Sequence, residues 1–211
     1  MEVLVFARRD IMKTLKRIAC SFLAIAMVIG LTACSQQKFD HKKIAKFCDD
    51  QDFECSEDLG DFIDDYGSII TGKDKGEGIY IYVTNRDAQK VYNKTLNRLS
   101  DFPKYDVEAA TCFVINDDGI NVGWLFNFVD KDDAEKFFKK AGKRYAGDGE
   151  KGDEKGYSYY ISENRGSSDR KTLTGIYLRG NTVLVLRSVS SDTDFIEDFC
   201  EYYGLISPTE A

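Results

Sequence analysis

Apolar residues recur along this chain at two spacings, and the switching between them lays out most of its secondary structure. Ile44, Phe47 and Cys48 stand at the i, i+3, i+4 intervals of a one-faced helix that starts at Asp40. Ile79 to Val83 alternates as a strand, and Asp87 to Leu99 returns to helical spacing through Ala88, Val91, Tyr92 and Leu99. The same succession follows in Leu125 to Val129 and then in Asp133 to Tyr145, whose apolar stripe is Ala134, Phe137, Phe138 and Tyr145. Between these, Thr111 to Asn116 reads as a strand, closed by a short Asn116-Asp117-Asp118-Gly119 hairpin loop whose glycine suits a left-handed position. Tyr157 to Ser162 is a further strand. Lys171 to Arg179 and Thr182 to Val189 form a second hairpin through Gly180-Asn181, and a last helix from Asp192 carries Ile196, Phe199, Cys200 and Tyr203 on one face.

Laid over itself at an offset of 46 residues, the chain matches Asp87-Ala88-Gln89-Lys90-Val91-Tyr92-Asn93-Lys94 to Asp133-Ala134-Glu135-Lys136-Phe137-Phe138-Lys139-Lys140, and Arg98 to Arg144. That offset also carries the strand at 79–83 onto 125–129, and Phe113 and Ile115 onto Tyr159 and Ile161. Two successive strand-helix-strand units read βαββαβ, which resembles the split order of ferredoxin-like folds, extended here by a C-terminal ββα unit. The resemblance implies a single α+β domain with a mostly antiparallel, six-stranded sheet and helices on one face. A second echo links the first and last helices, Ile44-Ala45-Lys46-Phe47-Cys48-Asp49 against Ile196-Glu197-Asp198-Phe199-Cys200-Glu201. The likeness is one of topology: an iron–sulfur cluster needs four suitably spaced thiolates, no such set is present, and no cofactor is expected.

The N-terminus has a different pattern. Lys13, Lys16 and Arg17 precede the uncharged run Ile18 to Leu31, 14 residues long, which fits a secretory h-region and falls short of the about 20 residues a membrane-spanning helix needs. The run closes on Leu31-Thr32-Ala33-Cys34. This stretch, residues 13 to 34, resembles the lipobox signal peptide of bacterial lipoprotein precursors. The resemblance implies a diacylglycerol thioether on Cys34, cleavage between Ala33 and Cys34, and a lipid-anchored protein on the outer side of the cell membrane. Glu2 and Asp10 sit badly in a basic n-region, so Met12 is the expected start. On this reading 1–33 is signal peptide, 34–39 a lipidated cysteine and short tether, 40–208 one domain and 209–211 a tail.

Removing residues 1–33 takes away five basic and two acidic residues and leaves 178 residues of net charge −10. Bases interspersed with acids along amphipathic helices argue against a nucleic-acid partner, which clustered Lys and Arg would signal. Cys48, Cys55, Cys112 and Cys200 remain, an even number in an exported domain, with three connectivities open. The favoured local bridge joins Cys48 to Cys55 across the hydrophilic DDQDFE turn, and it requires the helix to end between them.

Signals of chemistry are sparse. His41 is the sole histidine, so a His-based triad rests on it alone, and no Cys/His pairing marks a metal site. The acidic run Asp49 to Asp65 fails as a calcium loop, because starting at Asp50 puts Cys55 where glycine belongs and Asp61 where a bidentate glutamate is preferred. Gly147 to Gly152 lacks the GK[ST] ending of a phosphate loop. Aromatics offer more: Tyr157, Tyr159 and Tyr160 on one strand, Tyr177 on a later one, and Tyr80 and Tyr82 on the first would give a contact surface for a protein or glycan if they face away from the helices. The expected role is a non-enzymatic binding module of the cell envelope, anchored through Cys34. The alternatives are an envelope hydrolase built on a carboxylate pair, and a structural or assembly factor.

Overall fold

The computed structural model describes residues 38–56, 75–97, 102–165 and 170–211. In chain order its helices are α1 (His41–Asp50), α2 (Asn85–Asn97), α3 (Lys131–Ala141) and α4 (Asp194–Tyr203). Its strands are β1 (Glu54–Ser56), β2 (Glu77–Thr84), β3 (Val107–Asn116), β4 (Gly119–Phe128), β5 (Glu150–Glu154), β6 (Tyr157–Arg165), β7 (Lys171–Arg179) and β8 (Thr182–Ser190). They form one eight-stranded sheet in the order β1-β2-β3-β4-β8-β7-β6-β5, antiparallel throughout except for the parallel β1–β2 pair. The α+β class and the mostly antiparallel sheet are as expected. The two additional strands are short edges: β1 has three residues, and β5, Glu-Lys-Gly-Asp-Glu, has no apolar residue for alternation to reveal.

Local chemistry sets the helix ends. Asp130 caps α3 by accepting from the Asp132 amide, Asp132 and Asp133 fill its first turn, and Lys139 and Lys140 its last, which matches the helix dipole. Asp40 caps α1 in the same way, and Gly204 ends α4 in the left-handed conformation. Asp192 lies outside α4, where its side chain accepts from the Asp194 amide.

Helices cover both faces of the sheet, not one. Ala88, Val91 and Tyr92 of α2 and Ala134, Phe137 and Phe138 of α3 pack with Ile79, Ile81, Phe126, Phe128 and Val185. Ile44 and Phe47 of α1 and Ile196 and Phe199 of α4 pack with Tyr80, Phe113, Leu125, Tyr177 and Leu184 on the opposite side. The central strands accordingly bury both faces, and β8 reads Val183-Leu184-Val185-Leu186 without a polar break.

The ferredoxin-like order is not formed. β2 and β3, which flank α2, are hydrogen-bonded neighbours running antiparallel with no strand between them. Within the 46-residue echo, α2 and α3 do share a face, and Phe113, Ile115, Tyr159 and Ile161 share the other. The preceding strands differ by one place: Ile79 and Ile81 lie under α2, whereas their counterpart Leu125 lies under α1 and α4. A slip of one residue turns every side chain to the other face. Its source is the connection, since β2 enters α2 directly through Asn85 at φ 54°, while Val129-Asp130 separates β4 from α3.

Both ends of the domain extend past their expected limits. Phe39, assigned to the tether, is 2 % exposed, with its amide donating to Thr182 Oγ1 at 3.0 Å and the Arg179 guanidinium 4.6 Å from its ring. Pro208–Glu210 is a 3₁₀ turn closed by a Ser207/Glu210 capping box and packed on β6 and β7, so 209–211 is no free tail. No helix among the described residues is long and apolar enough to cross a membrane.

Candidate functional site

The six tyrosines do not form an open surface. Tyr177 is 0 % exposed, its hydroxyl donating to Ile206 O at 2.7 Å. Tyr159 and Tyr80 are buried on the same face, and Tyr157 is half-buried beside them, its hydroxyl accepting from the Ile206 amide at 2.9 Å. Tyr160 points to the opposite face and packs on Phe138 of α3, ring centroids 4.9 Å apart. Tyr82 alone of the six is exposed, at 46 %. The expected patch fails because helices cover both faces, so rings on either side meet a helix.

Tyr82 lies against His41, ring centroids 5.0 Å apart, and His41 Nδ1 is 2.6 Å from Thr111 Oγ1. Burial pulls the histidine down to about 4, so it is neutral at neutral pH. Thr111 is fully buried beneath the ring, and His41 Nε2 is buried without a hydrogen-bond partner. Of the acidic run, Asp49 to Glu54 closes α1 and enters β1, and 57–65 lies outside the described residues, as does Cys34. No group of His, Cys, Asp and Glu able to hold a metal occurs among the described residues. Cys48 and Cys55 are brought together, but as two free thiols in contact and not as the expected bridge.

A concave site lies elsewhere, where α3 runs into a π-helical turn, Gly142–Ala146. Gly142 leaves room for the Tyr160 ring, and Gly147, at φ 58°, reverses the chain with its amide donating to Gly142 O at 3.2 Å. Single π turns of this kind are frequent at functional sites. Beside it opens a crevice of about 570 Å³, lined among others by Arg144, Tyr145, Gly147, Asp148, Ser162 and Asn164. Glu150 and Glu163 also border it. The first accepts from Tyr159 at 3.1 Å, and the second pairs with Arg165 and Lys171 at 3.2 and 3.3 Å.

Beneath the turn, three neighbouring strands place polar side chains in one row: Ser162 of β6 faces Thr174 of β7, which faces Arg187 of β8. Residues directly opposite point to the same side, and this side is that of α3. Ser162 is 4 % and Thr174 0 % exposed. Ser162 Oγ, Thr174 Oγ1 and Arg187 Nε are all buried without a hydrogen-bond partner. The Arg187 guanidinium lies 5.5 Å from the Tyr145 ring. Burial raises the Tyr145 hydroxyl above its ordinary range, while Arg144 and Arg187 nearby oppose the rise. The three row residues were missed in the sequence. The available signal was Arg187, a charge interrupting Val183, Val185 and Val189 at a core-facing position of an apolar strand.

Comparison with protein-family models, with curated proteins and with solved structures finds no match.

Proposed function

We propose that this chain is a membrane-anchored extracytoplasmic lipoprotein, and that its domain is a non-enzymatic binding module of the cell envelope that holds a small anionic ligand at the crevice beside Tyr145. The row of unpartnered polar atoms carries the binding reading. A buried polar group without a partner costs on the order of 1–3 kcal/mol, and although His41, Thr95, Asn121, Asn127 and Arg179 each leave one such atom too, only Ser162, Thr174 and Arg187 place three in consecutive positions across neighbouring strands. Ser162, Thr174 and Arg187 can all donate, so a ligand rich in acceptor oxygens and bearing negative charge complements them. Ser162 belongs to both the row and the crevice wall, and the crevice is the route in. Calorimetric titration with inorganic phosphate, glucuronate and glucose tests this reading. The two anions are expected to bind and glucose not to, with Arg187→Gln weakening the anions about 10-fold or more, the worth of a charge-assisted hydrogen bond. Equal binding of glucose and glucuronate, or an Arg187→Gln protein that binds like the parent, overturns it.

The lipobox-like Leu31-Thr32-Ala33-Cys34 supports the anchor, and the position of Phe39 adds to it. Four residues separate Cys34 from Phe39, whose side chain is buried in the domain, a reach of about 17 Å when fully extended at roughly 3.4 Å per residue. Thr182 and the Arg179 guanidinium fix Phe39 at that point, and two acyl chains make the attachment stable where one is marginal. The domain would therefore ride on the bilayer surface. In a bacterial host, Cys34→Ser is expected to abolish labelling by an alkyne fatty acid and to move the protein from the membrane pellet to the soluble fraction. Retained labelling eliminates the anchor.

A further inference from the structure

We propose that Cys48 and Cys55 form a dithiol–disulfide site that locks the end of α1 to the edge strand β1. This goes beyond the binding reading and does not rest on it. α1 stops at Asp50, where the Gln51 amide donates to Phe47 O at 3.0 Å. Asp52, at φ 55°, turns the chain, and the Phe53 amide donates to Cys48 O at 3.0 Å. This tight return carries Cys55 back onto Cys48, so that the two thiols touch. β1 is then held by β2, with Cys55 opposite Gly78. A Cβ on residue 78 would lie 3.2 Å from Cys55 Sγ, so glycine there leaves the sulfur its space. The remaining thiols are excluded as partners of each other: Cys112 is buried on the α2/α3 face and Cys200 on the α1/α4 face.

The two sulfurs differ in a way that orders the chemistry. Cys48 is buried, and contact with Cys55 together with burial pushes its thiol far above the ordinary range. Cys55 is half-buried on a sheet edge and is the one an outside reagent reaches. The oxidant is an external disulfide, supplied by a thiol–disulfide oxidoreductase or a small-molecule disulfide. The Cys55 thiolate attacks one of its sulfurs, that bond breaks, and one external thiolate leaves. Cys48 then gives its proton to solvent and attacks Cys55 Sγ in the mixed disulfide, expelling the second external thiolate. The protein has lost two protons and two electrons, and the external disulfide has become two thiols.

Both cysteines fall in one tryptic peptide, between Lys46 and Lys73, which makes the bridge directly readable. In the full-length protein isolated from the envelope of an oxidising host and unfolded without reductant, this peptide is expected to resist iodoacetamide and to have lost two hydrogens. The peptides containing Cys112 and Cys200 should alkylate. Alkylation of both Cys48 and Cys55 before reduction overturns the proposal. Oxidised glutathione tests the order of attack on the reduced protein: Cys48→Ser should retain one glutathione on Cys55, and Cys55→Ser should take none. Capture of glutathione by Cys48 in the Cys55→Ser protein overturns the assigned roles, and peptide mapping of the unsubstituted chain decides the bridge even if either variant folds poorly.

Discussion

The two faces of the sheet carry similar apolar loads and finish them differently. Under α1 and α4 the filling is aromatic, and three of its tyrosine hydroxyls are tied to backbone: Tyr177 to Ile206 O, Tyr203 to Asp40 O at 2.9 Å, and Tyr157 to the Ile206 amide, while His41 Nε2, Asn121 Oδ1 and Arg179 Nε stand there singly without partners. Rings also close gaps in the strands, with Phe113 lying over Gly123 and Tyr177 over Gly175 where no side chain could stand. Under α2 and α3 the lower half is equally tight, with Tyr92 in edge-on contact with Phe126 at 5.1 Å and its hydroxyl donating to Pro103 O at 3.1 Å. The upper half, beneath the π turn, keeps the row Ser162, Thr174 and Arg187 without partners. What sets the α2/α3 face apart is that its unpartnered atoms stand in consecutive places on three neighbouring strands. An aromatic-rich strand therefore says little about binding, and an unpartnered hydroxyl in a well-packed sheet says more.

The largest effect that can break this contrast comes from Tyr177. It sits at the centre of the α1/α4 face, fully buried, with its ring over Gly175 and its hydroxyl on Ile206 O. Tyr177→Ala removes the ring, opens a cavity and leaves a carbonyl without its donor, a loss expected at about 3–5 kcal/mol in urea unfolding. Tyr177→Phe, which keeps the ring, should lose about 1–2 kcal/mol. If Tyr177→Ala unfolds within about 1 kcal/mol of the parent, a scale set by ordinary surface changes, the α1/α4 face is not the packed core described.

The sequence disclosed the elements better than their arrangement, and the reasons are physical. Helix periodicity is local, so Ile44-Phe47-Cys48 and Ala134-Phe137-Phe138 announced α1 and α3 without help from the rest of the chain. Which face a strand presents is not local. Val183-Leu184-Val185-Leu186 buries both sides, and an unbroken apolar run cannot show alternation, although such a run is itself the mark of a sheet covered twice. The single-faced expectation then misplaced the tyrosines, since a ring turned away from one pair of helices was taken to meet solvent. The 46-residue echo was real in its apolar helix positions and misled in its strands, because the left-handed Asn85 has no counterpart ahead of α3. The Cys48–Cys55 neighbourhood was legible, because the polar turn between them is local. The Ser162–Thr174–Arg187 row was not, since its members come from three strands and meet only through register.

The smallest effect draws the contrast most sharply, because it applies one chemical change to both faces. Thr174 and Thr182 are both buried threonines in neighbouring strands of the same sheet. Thr182 Oγ1, on the α1/α4 face, accepts from the Phe39 amide and donates to Arg179 O at 2.6 Å. Thr174 Oγ1, on the α2/α3 face, has no partner. Valine keeps the branched shape and removes the hydroxyl. At 182 it strands an amide and a carbonyl, and a loss of about 1–3 kcal/mol is expected. At 174 it removes a buried group whose burial is uncompensated, and the ligand-free domain is expected to be unchanged or more stable, by about 0–1 kcal/mol. Urea midpoints of the two variants in phosphate-free buffer decide the matter. Opposite signs separate a structural hydroxyl from one held ready for something outside the fold. If Thr174→Val loses as much as Thr182→Val, the Thr174 hydroxyl is satisfied within the protein, the two faces are alike, and the crevice loses the observation on which its binding role stands.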